Sequence, residues 1–223
     1  MTGRTDQTEQ GLAPEIEIAL AHALLRDRPA YRALFLLDNR LAEIVAGSSE
    51  IMIGQLRLAW WRDVLSTEPA LRPSGEPTIA ALGESWGDAA SGLTDLVDAW
   101  EALLVAEALD EASIKAFVTG RAGAWRALAA GPLAIEHPDP AEAYARQWIF
   151  ADLLAHVSDP AERELVRQAV RGEAPPRDKA IRSLVPLAIL ANLGRRSLAR
   201  GGRPLMEGRG AALMALRTAV FRR

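Results

Sequence analysis

The chain has 223 residues, 49% apolar and 25% charged, enough to bury one sizeable core. A formal charge of −3 argues against nucleic acid as a partner, and the lack of cysteine excludes disulfides, thiolate metal sites and thiol nucleophiles. No apolar run approaches the roughly 20 residues of a membrane-spanning helix, so a soluble cytoplasmic protein is the expectation.

Met1 to Leu12 is polar, without the apolar centre of a signal peptide, and is read as a disordered N-terminus ahead of one domain over 13–223. Alanine, leucine, arginine and glutamate dominate that domain and β-branched residues rarely cluster, so the expected fold is all-α, a single helical bundle. Apolar periodicity predicts helices at about 14–26, 29–46, 50–66, 78–88, 92–108, 111–130, 140–157, 160–171, 178–200 and 207–221. Ser49 and Asp110 are the expected caps of the third and sixth helices. Asp139-Pro140-Ala141-Glu142 and Asp159-Pro160-Ala161-Glu162 each place an aspartate cap before proline, with a glutamate that can reach back to the cap amide.

The helix over 50–66 reads as apolar almost all round, with Ile51, Ile53, Leu56, Leu58, Trp60, Trp61, Val64 and Leu65, and is expected to be buried on several sides. Arg57, Arg62 and Asp63 within it then need partners, and Glu43 on the preceding helix is a candidate for Arg57. Trp86, Trp100, Trp125 and Trp148 occupy apolar positions on separate helices; core packing is the expectation, with some of them available to line a cavity. Asp152 and His156 stand four apart, a spacing that can ligate a metal, but no third ligand is nearby and an ordinary helical pair is the expected reading.

Gly54-Gln55-Leu56-Arg57-Leu58-Ala59-Trp60-Trp61-Arg62-Asp63 resembles the segment that follows the first aspartate-rich helix of squalene/phytoene synthases, and Ala33 to Val45 is similar to that helix itself. Ala143-Tyr144-Ala145-Arg146-Gln147 resembles the opening of the family's second aspartate-rich helix. The resemblance implies the isoprenoid-synthase bundle, in which two such helices face each other across a cavity and hold Mg²⁺ against prenyl diphosphates. Aligned on it, the first aspartate pair falls on Ala42 and Ala46, with Glu43 the surviving acid beside Asn39. The second motif's positions fall on Phe150, Leu153, Leu154 and Ser158. From Tyr31 to Ala46 no carboxylate has another four residues on, and 143–158 offers Asp152 alone.

The resemblance therefore implies a non-catalytic branch acting in binding or assembly, similar in this respect to the phytoene-synthase-like complex I assembly factor, with no metal. The alternative is a working prenyl transferase with diverged Mg²⁺ ligands. Asn39, Glu43, Arg57, Trp61, Arg62, Asp63 and Gln147 are the candidates for a residual cavity or ion-pair network, and a hydrophobic or prenyl ligand is the candidate occupant. A third reading rests on 195–223, where Arg195, Arg196, Arg200, Arg203, Arg209, Arg217, Arg222 and Arg223 accompany an apolar side of Leu213, Leu216, Val220 and Phe221. Such a basic amphipathic segment suits an anionic membrane surface or a protein partner.

Overall fold

The structure, a computed structural model, describes residues 11–174, 176, 180–208 and 210–221. Among them are ten α-helices and no strand: α1 Pro14–Ala21, α2 Arg28–Ala46, α3 Ile51–Ser66, α4 Pro77–Ser85, α5 Thr94–Leu104, α6 Glu111–Ala130, α7 Asp139–His156, α8 Pro160–Arg171, α9 Val185–Ala199 and α10 Gly210–Phe221. The expected all-α bundle is what the chain forms. Residues 1–10 of the expected N-terminal tail, Asp178 and Lys179 at the expected start of the ninth helix, and Arg209, Arg222 and Arg223 lie outside the described residues. Leu12, expected in the tail, is buried in the core.

Several helices are shorter than periodicity predicts, for identifiable reasons. α1 stops at Ala21 because residues 22–27 turn the chain into α2, whose first turn holds Pro29. Gly87–Leu93 is a 3-10 segment joining α4 to α5, entered through Gly87 at φ 53°, a left-handed conformation that favours glycine.

The caps also divide. Asp110 Oδ1 accepts from the Ser113 amide at 2.7 Å while Ser113 Oγ accepts from the Asp110 amide at 3.0 Å, the expected cap in a reciprocal box. Asp159 Oδ1 caps α8 through Ala161 and Glu162. Its partner glutamate does not reach back: Glu162 Oε1 accepts from the Leu109 amide at 2.8 Å and ties α8 to the α5–α6 loop. Asp139 is already helical and accepts from Arg126 Nε at 2.8 Å instead of capping. Ser49 does not cap α3, whose cap is Glu50 with no side-chain bond.

α6, α7 and α9 form the central layers, with α5 on α6 and α10 on α9. α7 and α9 approach closely at Gly194, where a Cβ would stand 2.5 Å from the Gln147 carbonyl oxygen and 2.9 Å from Trp148 Cα. α3 packs against α5 and α2 on one side only. That corrects its expected burial: Leu58, Trp61, Val64 and Leu65 face inward, while Ile51, Met52, Ile53, Leu56 and Trp60 are exposed. An apolar sequence on both faces does not by itself supply a neighbour for both.

Candidate functional site: a cavity over a buried guanidinium

Three stripes meet between α2, α6 and α7, and each carries one arginine or aspartate among mostly apolar residues. On α2 the stripe runs Tyr31, Phe35, Asp38, Ala42; on α6, running the other way, Trp125, Arg121, Phe117; on α7, Trp148, Asp152, His156. One helical turn separates successive members, so the stripes stack in layers.

The lowest layer is aromatic. Phe35 lies 4.5 Å from Trp125 and 5.8 Å from Trp148 between ring centroids, and the two indoles meet edge-on at 5.7 Å. Tilted and edge-on pairs suit the ring quadrupoles, and all three rings are almost wholly removed from water.

One turn above, the layer is ionic. The Arg121 guanidinium spans the bundle between carboxylates on facing helices: Nη2 donates to Asp38 Oδ2 at 2.7 Å and Nη1 to Asp152 Oδ2 at 2.6 Å. Nε reaches both Asp38 oxygens at 3.0 Å, and Trp100 Nε1 from α5 donates to Asp38 Oδ1 at 2.8 Å. The guanidinium carbon sits 4.6 Å from the Trp148 centroid, 5.2 Å from Trp100 and 5.4 Å from Phe117, within cation–π range of all three. Burial disfavours the charged form of Arg121, but Asp38 and Asp152 outweigh it and hold its pKa above the ordinary arginine value. Every hydrogen-bonding site on Asp38 has thus been filled, the condition under which such a buried group is tolerated.

Above the ionic layer the bundle opens into a cavity of about 390 Å³, within the range of small-molecule sites. Its floor is Phe35, Trp148 and the Arg121 cluster; Ala42, Ala46, Leu103 and Phe117 form walls, and Asn39 and His156 stand at an exposed rim. Ala13, Glu15 and Ile16, at the start of α1, cover one side. Burial raises the Glu15 pKa and Asp152 raises it further, partly offset by the carboxylate's bond to its own backbone amide and by His156. His156 Nδ1 donates to the Asp152 backbone carbonyl at 2.8 Å and lies 3.5 Å from Asp152 Oδ1, the ordinary helical pair expected.

The expected site residues fall in three places. Asn39, Ala42 and Ala46 line this cavity, with Asn39 Nδ2 donating to Glu43 Oε1 at 2.9 Å. Glu43, Arg57 and Trp61 instead line a separate groove of about 590 Å³ on the outer side of α2. There Glu43 is held by Arg40 at 3.2 Å, one turn away on its own helix, and not by Arg57, which is exposed. Arg62 finds partners on α5: it pairs with Asp98 and, at 2.6 Å, with Glu101, which also accepts from Gln55. The hydrogen bond from Arg62 is the main influence lowering the Glu101 pKa. Asp63 is exposed.

Of the aligned positions at the end of α7 and just beyond it, Leu153 lines the cavity and Phe150, Leu154 and Ser158 do not. Trp148, Asp152 and His156 line it as well. Leu154 packs beneath Gly202, and Gln147 turns away, donating to the Ala174 carbonyl at 3.5 Å.

The residues sequence reasoning missed are Arg121, Glu15 and the pairing role of Asp38. Arg121 breaks an otherwise apolar stripe of Ile114, Phe117, Trp125 and Leu128, a legible sign that an opposite charge faces it.

The donor set does not suit Mg²⁺. Asp38 and Asp152 are both engaged by Arg121, and among the described residues no group of three or more histidine or acidic side chains is placed to hold a metal. Nor, among them, is any helix long and apolar enough to cross a membrane. Compared with protein-family models, curated proteins and solved structures, the chain finds no match.

Proposed function

We propose that this is a non-catalytic protein of the isoprenoid-synthase type, whose cavity between α2, α6 and α7 binds an apolar ligand of prenyl character. The observation that carries this reading is Arg121. Its guanidinium bridges Asp152 of α7 and Asp38 of α2, one turn from Ala42, where the resemblance implies a metal ligand. A fixed cation bonded to both acids occupies three of their four oxygens and leaves Asp152 Oδ1 alone uncommitted, too few donors for metal–diphosphate chemistry. Ala42 and Ala46, small where the family implies metal ligands, leave room above it.

The test uses the purified chain with farnesyl or geranylgeranyl diphosphate and Mg²⁺. The reading expects no pyrophosphate release above a boiled control; release above it overturns the non-catalytic assignment. In parallel, a prenyl alcohol is expected to change the fluorescence of Trp100 and Trp148, which line the cavity. Ala42→Phe, which fills the space, is expected to abolish that change.

A second reading, docking of α10 on an anionic membrane or a protein partner, draws on one observation. Its inner face buries Ala211, Ala215 and Thr218 against the body, while Leu213, Leu216, Val220 and Phe221 are exposed beside Arg217. Liposome flotation with and without anionic lipid tests it; equal behaviour of the full chain and a truncation at Gly201 removes its basis.

A further inference from the structure

We propose that the cavity selects an apolar ligand whose head is a hydrogen-bond donor, an alcohol or a protonated amine, and turns away the corresponding diphosphate. This rests on the cavity being a ligand site and names what that site accepts. The polar end carries two carboxylates, Asp38 and Asp152, against one guanidinium, with Glu15 at the rim adding a third acid. Among the described residues lining the cavity Arg121 is the one permanent cation, and its Nε, Nη1 and Nη2 each donate to those carboxylates. A diphosphate entering would meet a guanidinium already paired with two carboxylates and would face acids at close range in a partly dehydrated site, where like charges repel more strongly than in water.

The start of α1, a positive helix end at the rim, offers no escape, because Glu15 already accepts from its own backbone amide. The acceptors tell the complementary story. Asp152 Oδ2 is taken by Arg121, but Oδ1 has no hydrogen bond among the described residues, only His156 Nδ1 at 3.5 Å. The Asp152 side chain retains 20% of its exposure and lines the cavity. A hydroxyl or ammonium placed there donates to Oδ1 while its chain lies along Ala42, Leu103 and Phe117.

The experiment titrates the full chain with farnesol, farnesylamine and farnesyl diphosphate, each with EDTA and with Mg²⁺, following tryptophan fluorescence. The alcohol and the amine are expected to bind at least tenfold more tightly than the diphosphate in both conditions. A diphosphate less than tenfold weaker than the alcohol overturns the selectivity. Binding of none of the three overturns the ligand-site reading beneath it, a distinguishable failure. Asp152→Asn is expected to reduce the preference for amine over diphosphate by about tenfold. Should that variant not fold, Glu15→Gln, which leaves the ionic layer intact, is expected to narrow the same ratio; an unchanged ratio in a folded variant also refutes the proposal.

Discussion

Replacing Arg121 by methionine removes a cation whose side chain is 5% exposed and strands Asp38, 6% exposed, among aromatic rings. Losing one member of a buried, hydrogen-bonded pair typically costs about 3–5 kcal/mol, because the remaining charge is left uncompensated. Methionine keeps most of the stem's volume, so the loss reports on charge more than on a void. In a domain of this size about 1 kcal/mol moves Tm by roughly 2–4 °C, which places the expected drop at about 6–20 °C. The control is Arg121→Met combined with Asp38→Asn, which removes the stranded charge. Urea and thermal denaturation followed by circular dichroism should find this double variant more stable than the sum of its two single losses, by about 1–3 kcal/mol. A single variant within about 1 kcal/mol of the parent, or strict additivity, would refute the idea that the three charges form one interlocked unit.

Three further outcomes are expected. Glu15 has a folded-state pKa raised above its ordinary 4.5, so its contribution to stability is fully present below that value and is lost as pH rises through the raised one. Glu15→Gln should therefore raise Tm at pH 7 and match the parent near pH 4; a constant difference across that span contradicts the sign. Gly194→Ala forces a Cβ to 2.5 Å from the Gln147 carbonyl oxygen and should destabilise by about 1–3 kcal/mol, with a changed near-ultraviolet signal as Trp148 shifts. Asp159→Ala removes the acceptor for two amides of α8 and should cost about 0.5–2 kcal/mol in chemical denaturation; no change would mean that water replaces the cap.

Helix identity was legible because apolar spacing and caps such as Asp110 are local signals. Helix ends were less so: the helices expected at 78–88 and 92–108 run past the observed end of α4 and the observed start of α5, because Gly87 takes a left-handed turn and Gly87–Leu93 tightens into a 3-10 segment. The candidate site was half legible. The resemblance pointed to Ala42 and Ala46, which line the cavity, and to Leu154 and Ser158, which do not, since sequence spacing carries no information about how two helices rotate against each other. Exposure of α3 was misread for a related reason: Met52 and Leu56 are as apolar as core residues, and only the neighbouring helices decide what covers them. Arg121 had a sequence signal, a charge inside an apolar stripe, but its partners are 83 residues upstream and 31 downstream.

That wide separation along the chain has a kinetic corollary. A partly assembled chain that docks α2 on its aromatic neighbours before α6 arrives would hold an orphaned anion in a dry environment, and one that docks α6 first would hold an orphaned cation. Each half-built arrangement is penalised, so the three segments are driven to come together in a single step. Unfolding of the intact protein should then be steep and coincide by every optical probe, whereas Arg121→Met with Asp38→Asn should broaden it.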